Sequence, residues 1–180
     1  MCSLAAARRG AHYKDMLRIL FDKQRDGSMV FCCTRADGSS TWQKHVGKSA
    51  MFFPFHDLTH FAVESTFGFR EGFYGLISEG WDIADTGGKG VHGRLPPEAL
   101  VVEQMVGLFD RERVGGAAAL TADEFNGILQ ELTDSGNIIP APVATEAQLQ
   151  AVRARISELY DGLASLQPGS AMELTFGAAA

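Results

Sequence analysis

The chain has too few cysteines to be held together by them: three in 180 residues, at positions 2, 32 and 33. Cys32 and Cys33 are adjacent, and neighbouring residues of a strand point to opposite faces, so they are poorly placed to bridge each other. No Cys-x-x-Cys spacing occurs, which excludes a disulfide framework and leaves the thiols as small apolar filler in a reducing compartment. Positive charge is scarce as well. Sixteen Lys and Arg stand against 22 Asp and Glu, for a net charge of −6, and no basic run follows the isolated pair Arg8-Arg9. Nothing electrostatic therefore calls for nucleic acid or an anionic membrane as partner. No stretch approaches the ~18 apolar residues of a membrane span. Arg8-Arg9 leads into Gly10-Ala11-His12-Tyr13-Lys14-Asp15, where a twin-arginine leader would need an apolar run. The expectation is a cytoplasmic protein without a membrane span. A Gly-x-Ser-x-Gly nucleophile turn is missing too, and no cysteine is visibly paired with a base.

What is present reads as an α+β protein. Residues 1–14 lack periodicity and read as a frayed start, 15–166 as a single domain, and 167–180 as a loose tail. Two Asp-Gly turns, at Asp26-Gly27 and Asp37-Gly38, separate three apolar runs ending near Val46, the pattern of an antiparallel three-stranded meander. Such a meander needs helices on one face. The rest of the chain supplies a mostly helical body of four to five helices. The first is expected over about 53–67, with Pro54 near its start and Gly68 as either its stop or a break followed by a renewed turn. Arg70 to Trp81 reads as a glycine-containing helix, and Asp85-Thr86-Gly87-Gly88-Lys89-Gly90 as a loop long enough to cover a site. Pro96-Pro97-Glu98 opens another helix, and Thr121-x-x-Glu124 and Thr145-x-x-Gln148 are capping boxes opening two more.

The chemistry concentrates between Phe52 and Glu71. Seven of the twelve phenylalanines fall between residues 52 and 73, and most of them read as core. Within this aromatic stretch lie His56, Asp57, His60, Glu64 and Glu71. At about 100° per residue, with His56 at zero, His60 falls near 40°, Glu71 near 60°, Glu64 near 80° and Asp57 near 100°. All five share one sector, with Leu58, Phe61, Ala62, Ser65 and Phe69 opposite. Two imidazoles at i and i+4 can converge on one ion. His56 and His60 are therefore read as metal ligands, with Glu71 first choice as the third. Glu64, Glu79, Asp82, Glu103 and water are the alternatives for the fourth. Asp57 and Glu64 are read as proton-shuttling catalytic residues. Two His with carboxylates suit Zn²⁺ first, with Fe²⁺ or Mn²⁺ as alternatives. The bland reading is a His-Asp core that satisfies its own hydrogen bonds, but burying so many ionisable groups without an ion is costly.

His56-Asp57-Leu58-Thr59-His60 followed by Glu71 resembles the His-Asp-x-x-His…Glu motif of a ubiquinone-biosynthesis protein family. The resemblance implies a divalent metal held at His56, Asp57, His60 and Glu71, and a decarboxylation or scaffold role on a prenylated aromatic ring. The stretch from Phe53 to Asp85 is also similar to small bacterial proteins of unassigned function. The expected function is a divalent-metal protein of hydrolase or, as the resemblance implies, decarboxylase type, acting on a small-molecule substrate, partly apolar or aromatic. The competing readings are a non-catalytic metal- or lipid-binding module and a structural, homo-oligomeric interaction protein with a hydrogen-bonded His/Asp core.

Overall fold

In the computed structural model, residues 16–115, 118–136 and 138–177 are described; the expected frayed start, 1–14, lies outside them. The three-stranded meander forms as β1 (Leu17–Lys23), β2 (Met29–Thr34) and β3 (Ser40–His45). Both hairpins use one local device. Gly27 and Gly38 sit at φ 81° and 88°, and their N–H groups donate to the carbonyls of Gln24 and Arg35. The aspartate before each glycine accepts the N–H of the serine that follows it. A three-residue turn closed by a left-handed residue suits glycine, which carries no Cβ to clash.

The sheet has a fourth strand. Residues 167–180 are not all loose: Ser170–Phe176 form β4, antiparallel to β1, in the order β3-β2-β1-β4. Met172, Leu174 and Phe176 alternate with Glu173 and Thr175, and the register sets them opposite Phe21, Ile19 and Leu17. Those β1 residues, with Met29, Phe31 and Cys33 of β2, form the inner face of the sheet and are fully or nearly buried.

Among the described residues there are five α-helices: α1 (Lys48–Phe67), α2 (Phe73–Ser78), α3 (Pro97–Gly115), α4 (Ala122–Ser135) and α5 (Glu146–Ser165). Of these, α1 and α2 lie against the sheet, α3 and α5 pack on α1, and α4 packs on α3. The start of α1 lies five residues before the expected one, and Pro54 is inside the helix rather than near its start. One i−4 hydrogen bond is lost there, a cost that burial of the helix outweighs. Asp57 to Glu64 are buried without a break, because the helix lies between the sheet on one side and α3 and α5 on the other. Gly68, at φ 72°, ends it, and Phe69 N–H turns back to the Glu64 carbonyl. Pro97 is the first residue of α3, and both capping boxes form at α4 and α5. The loop after α2 is tied to the meander. Arg35 donates to the carbonyls of Ile77 and Trp81, and Ile83 N–H donates to Thr41. Among the described residues no helix is long and apolar enough to cross a membrane.

Candidate metal centre

The chemistry sits where α1 faces α3. His56 and His60 are one turn apart on α1, and their rings meet edge to face at 4.9 Å. Across from them Glu103 of α3 brings a carboxylate oxygen 3.5 Å from His60 Nε2. One donor atom from each of His56, His60 and Glu103 lies within 4.8 Å of the others, and this group can hold a metal ion. Ligands about 2 Å from a common ion sit roughly 3–3.5 Å apart, so small side-chain movements close the set. The side chain of Glu103 is 43 % exposed, which leaves the group open on one side.

Each imidazole is held from behind by a different carboxylate. His56 Nδ1 is 2.8 Å from Asp110 Oδ2 on α3, and His60 Nδ1 is 3.2 Å from Glu64 Oε1 on α1. An ionised carboxylate on Nδ1 fixes the ring and holds the Nδ1–H tautomer, whose Nε2 lone pair is open to an ion. Asp110 also accepts from Thr59 Oγ1, at 3.2 Å, and has Arg113 at 3.8 Å. Glu64 Oε2 accepts the N–H groups of Tyr74 and Gly75 at the start of α2. Gly72 makes this packing feasible. Its φ of −77° suits any residue, but a Cβ there would lie 2.5 Å from Glu64 Cδ.

Burial sets the electrostatics. His60 is pulled down to about 4 by desolvation, so its ring is neutral at pH 7. Glu64 is pushed up to about 8 by burial, against the pull of the Gly75, Tyr74 and Phe73 N–H groups. Burial also lowers His56, but the hydrogen bond and charge of Asp110, with Asp57 and Glu103, outweigh it and the net shift is upward. Asp110 is raised by burial and lowered more strongly by His56, Arg113 and Thr59, ending below the usual carboxylate range. Asp57 is pushed up to about 7 by burial, and its Oδ2 has no hydrogen-bond partner among the described residues.

The residues singled out in the sequence separate here. His56, His60 and Glu64 lie together on α1. With both oxygens engaged, Glu64 is placed to orient His60. Asp57 is buried next in sequence to His56 but contributes no donor to the group. Glu71 is not brought to the group. The helix that would have carried it into the sector ends at Gly68, and Glu71 is exposed, its N–H donating to Glu98 of α3. Glu79 and Asp82 also lie outside it, Asp82 being 3.6 Å from Arg35. Glu103, the outside alternative, takes the third place. Asp110 was not foreseen at all, although Glu103 and Asp110 are seven residues apart and so lie on one helical face. Aromatic rings flank the pair: Phe52 stacks on His56 at 5.9 Å and Phe73 packs on His60 at 5.2 Å. Comparison of the chain with protein-family models, curated proteins and solved structures returns no match.

Proposed function

We propose that the protein binds a divalent metal ion through His56, His60 and Glu103 and uses it catalytically on a small substrate. The observation that carries this reading is the paired arrangement behind the two imidazoles. Asp110 and Glu64, from different helices, each engage an Nδ1, and the Nε2 of His60 faces Glu103. A core histidine needs only to satisfy its own polar atoms. It does not need a second histidine and a third donor within 4.8 Å.

Two imidazoles and one carboxylate favour Zn²⁺, with Fe²⁺ and Mn²⁺ as alternatives. Three protein ligands and a partly exposed Glu103 favour an open, catalytic position over a closed structural one. When bound, such an ion polarises a substrate oxygen or lowers the pKa of a water, which serves hydrolysis or decarboxylation alike. The chain's own part is to hold the imidazoles in register through Asp110 and Glu64. Asp57, coupled electrostatically to His56 and Glu103, can exchange a proton near neutral pH. Phe52, exposed and stacked on His56, with Phe53 packed against it, suits the apolar part of a substrate. His56 and His60 are two of the four positions, with Asp57 and Glu71, by which the chain resembles the ubiquinone-biosynthesis family, and only these two enter the present reading.

The test is elemental analysis of protein purified without chelator or affinity metal, before and after reconstitution with Zn²⁺. About one ion per chain is expected, and none in the His56→Ala/His60→Ala variant. Wild-type protein that holds no stoichiometric metal after reconstitution defeats the proposal.

A further inference from the structure

Behind His56 a hydrogen-bonded chain runs away from the metal group into α5. Asp110 Oδ1 is 3.2 Å from Thr59 Oγ1, and Thr59 Oγ1 is 2.7 Å from Tyr160 Oη. The Arg113 guanidinium lies over the Tyr160 ring, 5.5 Å from its centroid. Thr59 is 1 % exposed, so water does not substitute for these partners.

Counting protons fixes the direction of the chain. A threonine hydroxyl has one hydrogen and two lone pairs, while an ionised carboxylate and a carbonyl only accept. Thr59 Oγ1 faces three oxygens: the Phe55 carbonyl at 3.1 Å, Asp110 and Tyr160. If Thr59 gave its hydrogen to Tyr160, lone pairs would face both the Phe55 carbonyl and the Asp110 carboxylate. Tyr160 is therefore the donor, and the Thr59 hydrogen is left for the other two. The Phe55 carbonyl already serves the α1 ladder, which favours Asp110. Every hydrogen then points towards Asp110, including that of His56 Nδ1. A hydroxyl that accepts a hydrogen bond becomes a stronger donor, so Tyr160 reinforces the grip of Thr59 on Asp110.

Resting on the metal-binding reading above, we propose that Tyr160 is a positioning residue for the metal centre. It acts through Thr59 and Asp110 to hold His56 with Nε2 presented to the ion. The ring of Tyr160 also packs edge to face on Phe55 at 4.7 Å, and Tyr160→Phe keeps that packing while deleting only the hydroxyl.

The experiment is Co²⁺ titration of the full chain, followed by the visible d–d absorption of the bound ion. Partners behind metal-bound histidines are worth about 10- to 100-fold in affinity, and one further out should be worth less. Tyr160→Phe should weaken Co²⁺ binding about 3- to 10-fold and shift the d–d bands. Asp110→Asn should weaken it more, and the double variant should be no worse than Asp110→Asn alone, because Tyr160 acts only through Asp110. Thr59→Val should resemble Tyr160→Phe, and Thr59→Ser, which keeps the hydroxyl, should restore wild-type binding. If Tyr160→Phe does not fold, the Thr59→Val and Thr59→Ser pair decides the matter. Wild-type Co²⁺ binding with unchanged affinity and spectrum in the hydroxyl-deleted variants overturns this inference and leaves the metal site standing. So does a loss that adds fully to that of Asp110→Asn. A wild-type chain that binds no Co²⁺ overturns both.

Discussion

The two halves of the candidate metal group use the same pairing in opposite surroundings. On the outer half, His56 is partly exposed and its carboxylate, Asp110, comes from another helix, with Arg113 and Thr59 around it. There the imidazole is raised and the carboxylate lowered, the signature of an ion pair. On the inner half, His60 is 2 % exposed and Glu64 is fully buried. Desolvation dominates, so His60 is lowered to about 4 and Glu64 raised to about 8. His60 itself is thus neutral, but Glu64 beside it must give up its proton before Nε2 is free for an ion, whereas on the outer half it is His56 that must give one up. Solvent access, not residue type, makes the difference.

The largest test of this contrast compares His60→Ala with His56→Ala. Both should abolish stoichiometric metal binding. Only His60→Ala should also destabilise the metal-free protein substantially, by about 2–4 kcal/mol in denaturant melts, since it opens a buried cavity and strips Glu64 of a partner. Equal losses of stability would erase the distinction between the halves. Next in size, Gly72→Ala pushes a methyl group into Glu64 and should cost about 1–3 kcal/mol without removing any ligand. A neutral Gly72→Ala would mean that the inner half is looser than its geometry.

On the outer half, Asp110→Asn should lower Zn²⁺ affinity by at least about tenfold, read by competition with a chelating dye, while the fold is retained. Asp57→Asn probes burial by pH. Asp57 holds its proton up to about pH 7 in the folded chain, against an ordinary value of 3.8. Between those values the folded state binds more protons than the unfolded one, so stability present in acid is lost as pH rises through about 7. Taking the metal-free protein from about pH 5.5 to 8 should therefore cost the wild type on the order of 1–2 kcal/mol more than Asp57→Asn. Parallel pH profiles for the two proteins would contradict that. The smallest expected effect is that of Glu71→Ala, which should leave Zn²⁺ affinity within about twofold, since Glu71 stands outside the group. A clear loss would return Glu71 to the site.

Much of the fold was legible in local chemistry. The Asp-Gly turns marked both hairpins, and Thr121-x-x-Glu124 and Thr145-x-x-Gln148 marked two helix starts, because each depends on contacts within four residues. Gly68 was legible as a stop or a break for the same reason, and carrying the helical angle through that glycine led to Glu71. The strand at 170–176 shows the alternation Met172, Leu174, Phe176, but its partner is β1, about 150 residues away in sequence. A short edge strand gains its stability from pairing of that kind. Of the site, the His56–His60–Glu64 face could be read from spacing alone, since one continuous helix carries all three.

By itself, then, the sequence determined which helix carries the imidazoles, and that they stand one turn apart. Helical periodicity is a local property, set by backbone geometry and side-chain pattern. Only the tertiary structure decided which carboxylates complete the group. Glu103 and Asp110 reach it from α3 because the apolar face of that helix packs against α1, and no local spacing encodes which way two packed helices face each other. The same packing buries Glu64 and exposes Glu103, and so separates the acid that orients an imidazole from the acid that can meet an ion.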